Sequence, residues 1–138
     1  MVHDVLLNKV SIIERCLARV EQEYRGHEAE LESNFTRQDS IVLNLQRACE
    51  ASIDAAMHLV RVKRLGLPQE SREAFALLYD AGVIDAPLKT ALQAMVGFRN
   101  VAVHDYRKLN LDVVRSIIEN HLEDFRAYCR MILKGSFS

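Results

Sequence analysis

Residues 36–68 read TRQDSIVLNLQRACEASIDAAMHLVRVKRLGLP, and this stretch decides the fold class. Thr36 with Asp39 three positions on forms a helix-start pair, the hydroxyl as N-cap and the acid in the first turn. Gly66 and Pro68 stop the run. The spacing predicts one helix to about Arg64, the longest in the chain. Upstream, Val5, Leu6, Val10, Ile13, Leu17, Val20 and Tyr24 recur at three- and four-residue steps, giving a first amphipathic helix. It ends near Gly26, and GHEAELESN is expected to be a solvated connection. Downstream, Ser71 is expected to cap a short third helix through Leu77 and Leu78, closed by Gly82. Asp85 and Pro87 open a fourth helix carrying Leu88, Leu92, Met95 and Val96 up to Arg99. Asn110 caps a last helix through Val114, Ile117, Ile118, Leu122, Phe125 and Ile132, with a frayed KGSFS tail. No strand-like alternation and no internal repeat interrupts this order. The reading is an all-α bundle of four longer helices plus one short helix.

The totals agree with that class. At 138 residues the chain is expected to be one domain, 1–138, around one core. Hydrophobic residues at 49% and charged residues at 27% exclude a disordered chain. A net charge of −1 excludes a protein drawn to nucleic acid or membranes by its overall field, so any RNA must be held by a local patch. Cys16, Cys49 and Cys129 form no C-x-x-C pair and read as reduced core thiols. No basic n-region leads into an apolar h-region, and no apolar run approaches the ~20 residues that cross a bilayer. The expectation is a cytoplasmic protein without membrane association.

On a helical wheel started at Leu88, at about 100° per residue, Leu92 falls near 40°, Met95 near −20° and Arg99 near 20°. Arg99 therefore sits in the middle of the apolar stripe of the fourth helix. A guanidinium there requires an anion, a carboxylate from a neighbouring helix, or a wet cleft. His104 falls near 160° on the same wheel of about 100° steps, with Asn100 its neighbour one turn before. A straight isolated helix does not aim Arg99 and His104 at one point. The helix distorts, the long Arg99 reaches round, or two protomers share the cleft; the spacing does not choose.

The run FRNVAVHDY, residues 98–106, contains R-x-x-x-x-H-x-Y as Arg99, His104 and Tyr106. It resembles the signature of HEPN-domain toxins of the HepT type. DSIVLNLQRACEASIDAAMHL from Asp39 to Leu59 is similar to that family's long second helix, and LGLPQESREAFALL and HLEDF also fit, so the resemblance spans nearly the whole chain. It implies a HEPN-type helical bundle and an endoribonuclease that needs no metal. The RNA supplies its own nucleophile, the 2′-hydroxyl, so the enzyme only moves protons and stabilises charge on the phosphorane. His104, with an unperturbed pKa of ~6.5, suits acid or base work, and Arg99 suits the phosphate oxygens. Asn100 is a supporting candidate. Because one chain supplies one Arg/His set, a homodimer is expected. The resemblance further implies an RNA substrate, with tRNA the guess, and no resident cofactor. It also implies an MNT-type nucleotidyltransferase antitoxin that places AMP from ATP on Tyr106, beside Arg99 and His104.

Other features have plainer readings. Glu50, Asp54 and His58 share one face of the second helix and could ligate a metal, but a hydrogen-bonded polar face is the expectation, with no metal site. Asp39, Asn44 and Gln46 read equally as lining the cleft or orienting His104 and as ordinary capping or interface residues, and Arg107 and Lys108 as solvated surface next to the motif that could add local phosphate affinity. The competing function is a non-catalytic helical module that binds a nucleotidyltransferase partner.

Overall fold

The computed structural model describes residues 2–137, with side chains described over 4–134. Its helices are α1 (Val2–Tyr24), α2 (Phe35–Val62), α3 (Ser71–Asp80), α4 (Ala86–His104), α5 (Leu111–Asn120) and α6 (Leu122–Phe137). Short 3₁₀ turns occupy Glu28–Glu30 and Tyr106–Lys108, and no strand occurs among the described residues. None of these helices is long and apolar enough to cross a membrane.

α2 is the spine. Fourteen of its 28 residues are buried, more than the single stripe of a surface helix requires, and it packs against α1, α3 and α4. Small residues at the contacts, Ala48, Ala51, Ser52, Ala55 and Ala56, let neighbouring backbones come close. α1 and α2 run antiparallel: Lys9 near the start of α1 pairs with Asp54 late in α2 at 3.3 Å, while Arg37 near the start of α2 donates to the Glu23 carbonyl at 2.9 Å. α6 closes the bundle against α1 and α4. Tyr128 of α6 is fully buried, meets Phe75 edge-on at 5.8 Å and donates to the Ser52 carbonyl at 2.8 Å. All three cysteines are buried free thiols, and burial pushes Cys49 and Cys129 up to about 12.

Several expected boundaries move. The N-cap of α2 is Asn34, whose side chain accepts from the Arg37 N–H at 3.1 Å, so Thr36 lies inside the helix. Glu70, not Ser71, stands at the N-cap of α3, and Ser71 is its first helical residue. α4 continues past Arg99 to His104, while Asp85 caps it as expected, accepting from Leu88 N–H at 3.0 Å. The expected last helix is two: His121, at φ −127° and ψ 0°, ends α5 and its carbonyl accepts the Asp124 N–H at 3.1 Å to start α6. The apolar spacing runs on across this break without a glycine or proline, which is why the pattern reads as one helix. The architecture is thus six α-helices rather than five. GHEAELESN is not simply solvated, since Leu31 is buried and Arg115 of α5 donates to the Glu28 carbonyl and pairs with Glu32. The tail KGSFS, residues 134–138 and expected to fray, is helical through Phe137, where α6 ends, and Ser138 lies outside the described residues.

Gly66 sets the α2–α3 connection. Its φ of +148° favours glycine, and a Cβ there would lie 3.1 Å from both terminal methyls of Leu77. Replacing Gly66 by Ala is therefore expected to destabilise the fold by more than ~1 kcal/mol, measured as a lower urea midpoint at unchanged slope.

Candidate functional site

Arg99 enters the stripe of α4 between Met95, Val96 and Ala102, all buried. Burial of a guanidinium in this position is tolerable only if its donors are matched. Each nitrogen finds an acceptor: NH1 donates to Glu50 Oε1 of α2 at 2.8 Å, Nε to Asn100 Oδ1 at 2.9 Å, and NH2 to Ser71 Oγ of α3 at 3.4 Å. The Arg99 side chain keeps 20% of its exposure, and Glu50 keeps 40%. This is the carboxylate pairing that physics allowed, combined with a wet cleft. Glu70, Ser71, Arg72, Val96, Arg99 and Asn100 line a cavity of about 180 Å³ beside the guanidinium.

His104 is the last residue of α4 and is exposed; among the described residues it has no hydrogen-bond or ion-pair partner. The helix stays regular up to it, so His104 and Arg99 leave α4 in different directions and no contact joins them. Asn100, one turn before His104, serves Arg99 instead.

Tyr106 opens the 3₁₀ turn after α4. Its hydroxyl donates to Asp39 Oδ1 of α2 at 2.7 Å, and its side chain is 42% exposed. Burial, and then the hydrogen bond and charge of Asp39, push the phenol up to about 12. The two neighbours in the turn are cations: Lys108 pairs with Asp105 at 3.4 Å, and Arg107 is exposed.

Two acceptors emerge that the sequence does not assign. Glu50 reads as one member of a face with Asp54 and His58, but the three take different partners: Glu50 holds Arg99, Asp54 pairs with Lys9, and His58 Nδ1 meets Arg61 NH2 at 3.2 Å. Asp39 reads as the acid of a helix start but stands on Tyr106. The misplaced Arg99 calls for a carboxylate without marking which one, and Asp39 stands out only as a cap, interface or cleft residue. Asp39 and Glu50 lie eleven residues apart on α2, about 1,100° or three turns plus 20°, so they share one face about 16 Å apart. Tyr106 and Arg99 thus take hold of α2 three turns apart within one chain.

On the outer side of α4 a largely apolar groove of about 390 Å³ is lined by residues including Met95, Phe98, Val101, Leu109, Val113 and Ile117. Val101 and Val113 in its wall are exposed.

Comparison with known proteins agrees with the all-helical fold. A family model described as ribonuclease HepT-like matches residues 13–132. A curated relative from Shewanella oneidensis, named mRNA nuclease HepT, is 48% identical over 130 residues, covering 94% of this chain and 97% of that protein. A solved structure of a tri-AMPylated Shewanella oneidensis HEPN toxin in complex with MNT antitoxin has a TM-score of 0.90 at 47% identity, covering 95% of this chain and 98% of that one. A toxin–antitoxin structure with AMP-PNP gives a TM-score of 0.91 at 46% identity, again over 95% and 98%. The match over most of the chain, at this identity, on this helical frame, means that the chain belongs to the HepT-like ribonuclease family.

Proposed function

We propose that this chain is the toxin of a toxin–antitoxin pair, a metal-independent endoribonuclease in which one HEPN domain spans residues 1–138. The observation that carries the reading is Arg99, a guanidinium fixed from three helices at the rim of a small polar cavity, with an unengaged His104 five residues on. Arg99 offers N–H donors to the phosphate oxygens as charge builds on the phosphorane. His104 moves the proton of the attacking 2′-hydroxyl or of the leaving 5′-oxygen. The products carry 2′,3′-cyclic phosphate and 5′-hydroxyl ends, and no cofactor takes part. The natural setting is the cytoplasm. Within the family one named relative is an mRNA nuclease, whereas the family resemblance points to tRNA, so both RNAs belong in the assay.

The site is completed by a second copy. Of the three ways to bring Arg99 and His104 to one phosphate, α4 shows no distortion before His104, and the reach of Arg99 is spent on Glu50 and Ser71. A shared cleft between protomers remains, and the exposed valines beside the groove of α4 and α5 suit such a contact.

Neutralisation works through Tyr106, adenylylated by an MNT-type nucleotidyltransferase. The partially exposed hydroxyl at the end of α4 is accessible to such a partner. AMP brings negative charge and bulk to the turn that follows His104. The other reading, a non-catalytic module that only binds the partner, draws on the full engagement of Arg99 by protein acceptors.

Cleavage of cellular RNA in EDTA decides between them. Wild type is expected to cleave, and His104→Ala to lose about 10²–10⁴-fold in rate. Because His104 is exposed and makes no described contact, its variant should keep the wild-type melting curve. Inert, unmodified and well-folded wild type would favour the binding module. Tyr106→Phe is expected to fold normally and to gain no AMP from the partner by intact mass; an AMP-sized gain on that variant would remove Tyr106 as the acceptor. Light scattering should give twice the 15.8 kDa chain mass, and a monomer cleaving at full rate would contradict the shared cleft.

A further inference from the structure

The contact between Tyr106 and Asp39 joins residues 67 positions apart, the start of α2 and the turn after α4. Asp39 is exposed, so its carboxylate is not required to satisfy a buried group. It stands nevertheless at 2.7 Å from the one hydroxyl that the modification uses. We propose that Asp39 is the general base for nucleotidyl transfer to Tyr106, taking the phenol proton as the oxygen attacks the α-phosphorus of ATP. This deepens the reading of Tyr106 as the acceptor and rests on it.

The step balances as follows. A bond forms between Tyr106 Oη and the α-phosphorus. The bond from that phosphorus to the oxygen bridging the β-phosphate breaks, and pyrophosphate departs with the electron pair. The phenol proton passes to Asp39 and then to water.

The local chemistry makes such a base necessary. With the phenol held up to about 12, phenolate is scarce near neutral pH, so the nucleophile must be made during attack. Asp39 is the acceptor already in contact. The neighbouring charged groups do not compete: Asp105 pairs with Lys108, Arg107 and Lys108 are cations, and no hydrogen bond links His104 to Tyr106. The short hydrogen bond also fixes the direction in which the proton leaves, which frees the other side of the oxygen for the phosphorus.

Asp39→Asn separates proton acceptance from tethering, because the amide oxygen can still accept from the hydroxyl. The rate of AMP incorporation from radiolabelled ATP is measured on the full chain with its nucleotidyltransferase partner, for wild type and Asp39→Asn. The variant is expected to be slower by about 10²-fold or more. Its rate should climb about tenfold per pH unit between roughly pH 6.5 and 8.5, where wild type is much flatter. Without any partner, ultraviolet titration read as the difference from Tyr106→Phe should show the phenol falling from about 12 in wild type toward the ordinary ~10 in Asp39→Asn. Equal rates in the two proteins, or a slow variant with the wild-type pH slope, would overturn the general base and leave Tyr106 as acceptor. Wild type that gains no AMP would instead remove the Tyr106 reading, and the role of Asp39 with it.

Discussion

A positive charge set into the apolar stripe of α4 is the constraint around which the rest is arranged. The guanidinium of Arg99 cannot be dehydrated without partners, and the fold answers with one from each of three helices: Glu50 on α2, Ser71 on α3 and Asn100 on α4 itself. That requirement fixes more than a side chain. It demands that α3 begin where Ser71 faces α4, which depends on the turn at Gly66 and its contact with Leu77. On α4, Gly97 faces the same α3 N-terminus, where a Cβ would lie 3.2 Å from the Arg72 guanidinium. The guanidinium is thereby held rigid at the rim of a cavity, the preorganisation that charge stabilisation needs.

α2 provides a common ruler for the functional groups. Its many buried small residues let α1, α3 and α4 pack close around it, and it still spares one polar face carrying Asp39 and Glu50. Through Asp39 that face holds the turn at Tyr106, and through Glu50 it holds Arg99. The eight residues from Arg99 to Tyr106 are thus anchored at both ends to one helix. Movement of the turn is coupled to α2 rather than free, while His104 between the anchors remains exposed.

The helices were legible because their apolar residues recur at helical spacing and glycine, proline and capping residues punctuate them. Asp85 and Asn110 cap as expected, each accepting from a backbone N–H in the first turn. Thr36 and Ser71 mislead for one reason: each stands beside a second residue able to occupy the N-cap, and contacts outside the helix decide between them. Asn34 is held by a local hydrogen bond to Glu30 in the preceding turn, and the hydroxyl of Ser71 is taken by Arg99 from α4. The break at His121 leaves no trace in composition, since one residue leaving helical geometry preserves the apolar register on both sides. Arg99 was conspicuous as a charge out of place. Its partner Glu50, and the partner Asp39 of Tyr106, were not, because pairing across 49 and 67 residues is a property of the packed helices alone.

The engagement of Arg99 also bears on how a ribonuclease site is assembled from this frame. Five residues along a regular helix turn through about 500°, so His104 points about 140° away from Arg99 around the axis of α4. One donor is held inward between helices, and the imidazole stands on the outside, uncommitted. A phosphate bound at Arg99 competes with Glu50 for the same N–H groups, and it does so without displacing the apolar contacts that position α4. On the proposed reading, ground-state anions are thereby bound weakly. The dianionic phosphorane, with more charge on its oxygens, competes better, which is the discrimination catalysis requires. An arginine paired in the resting chain is in this sense compatible with catalysis and biased toward the transition state.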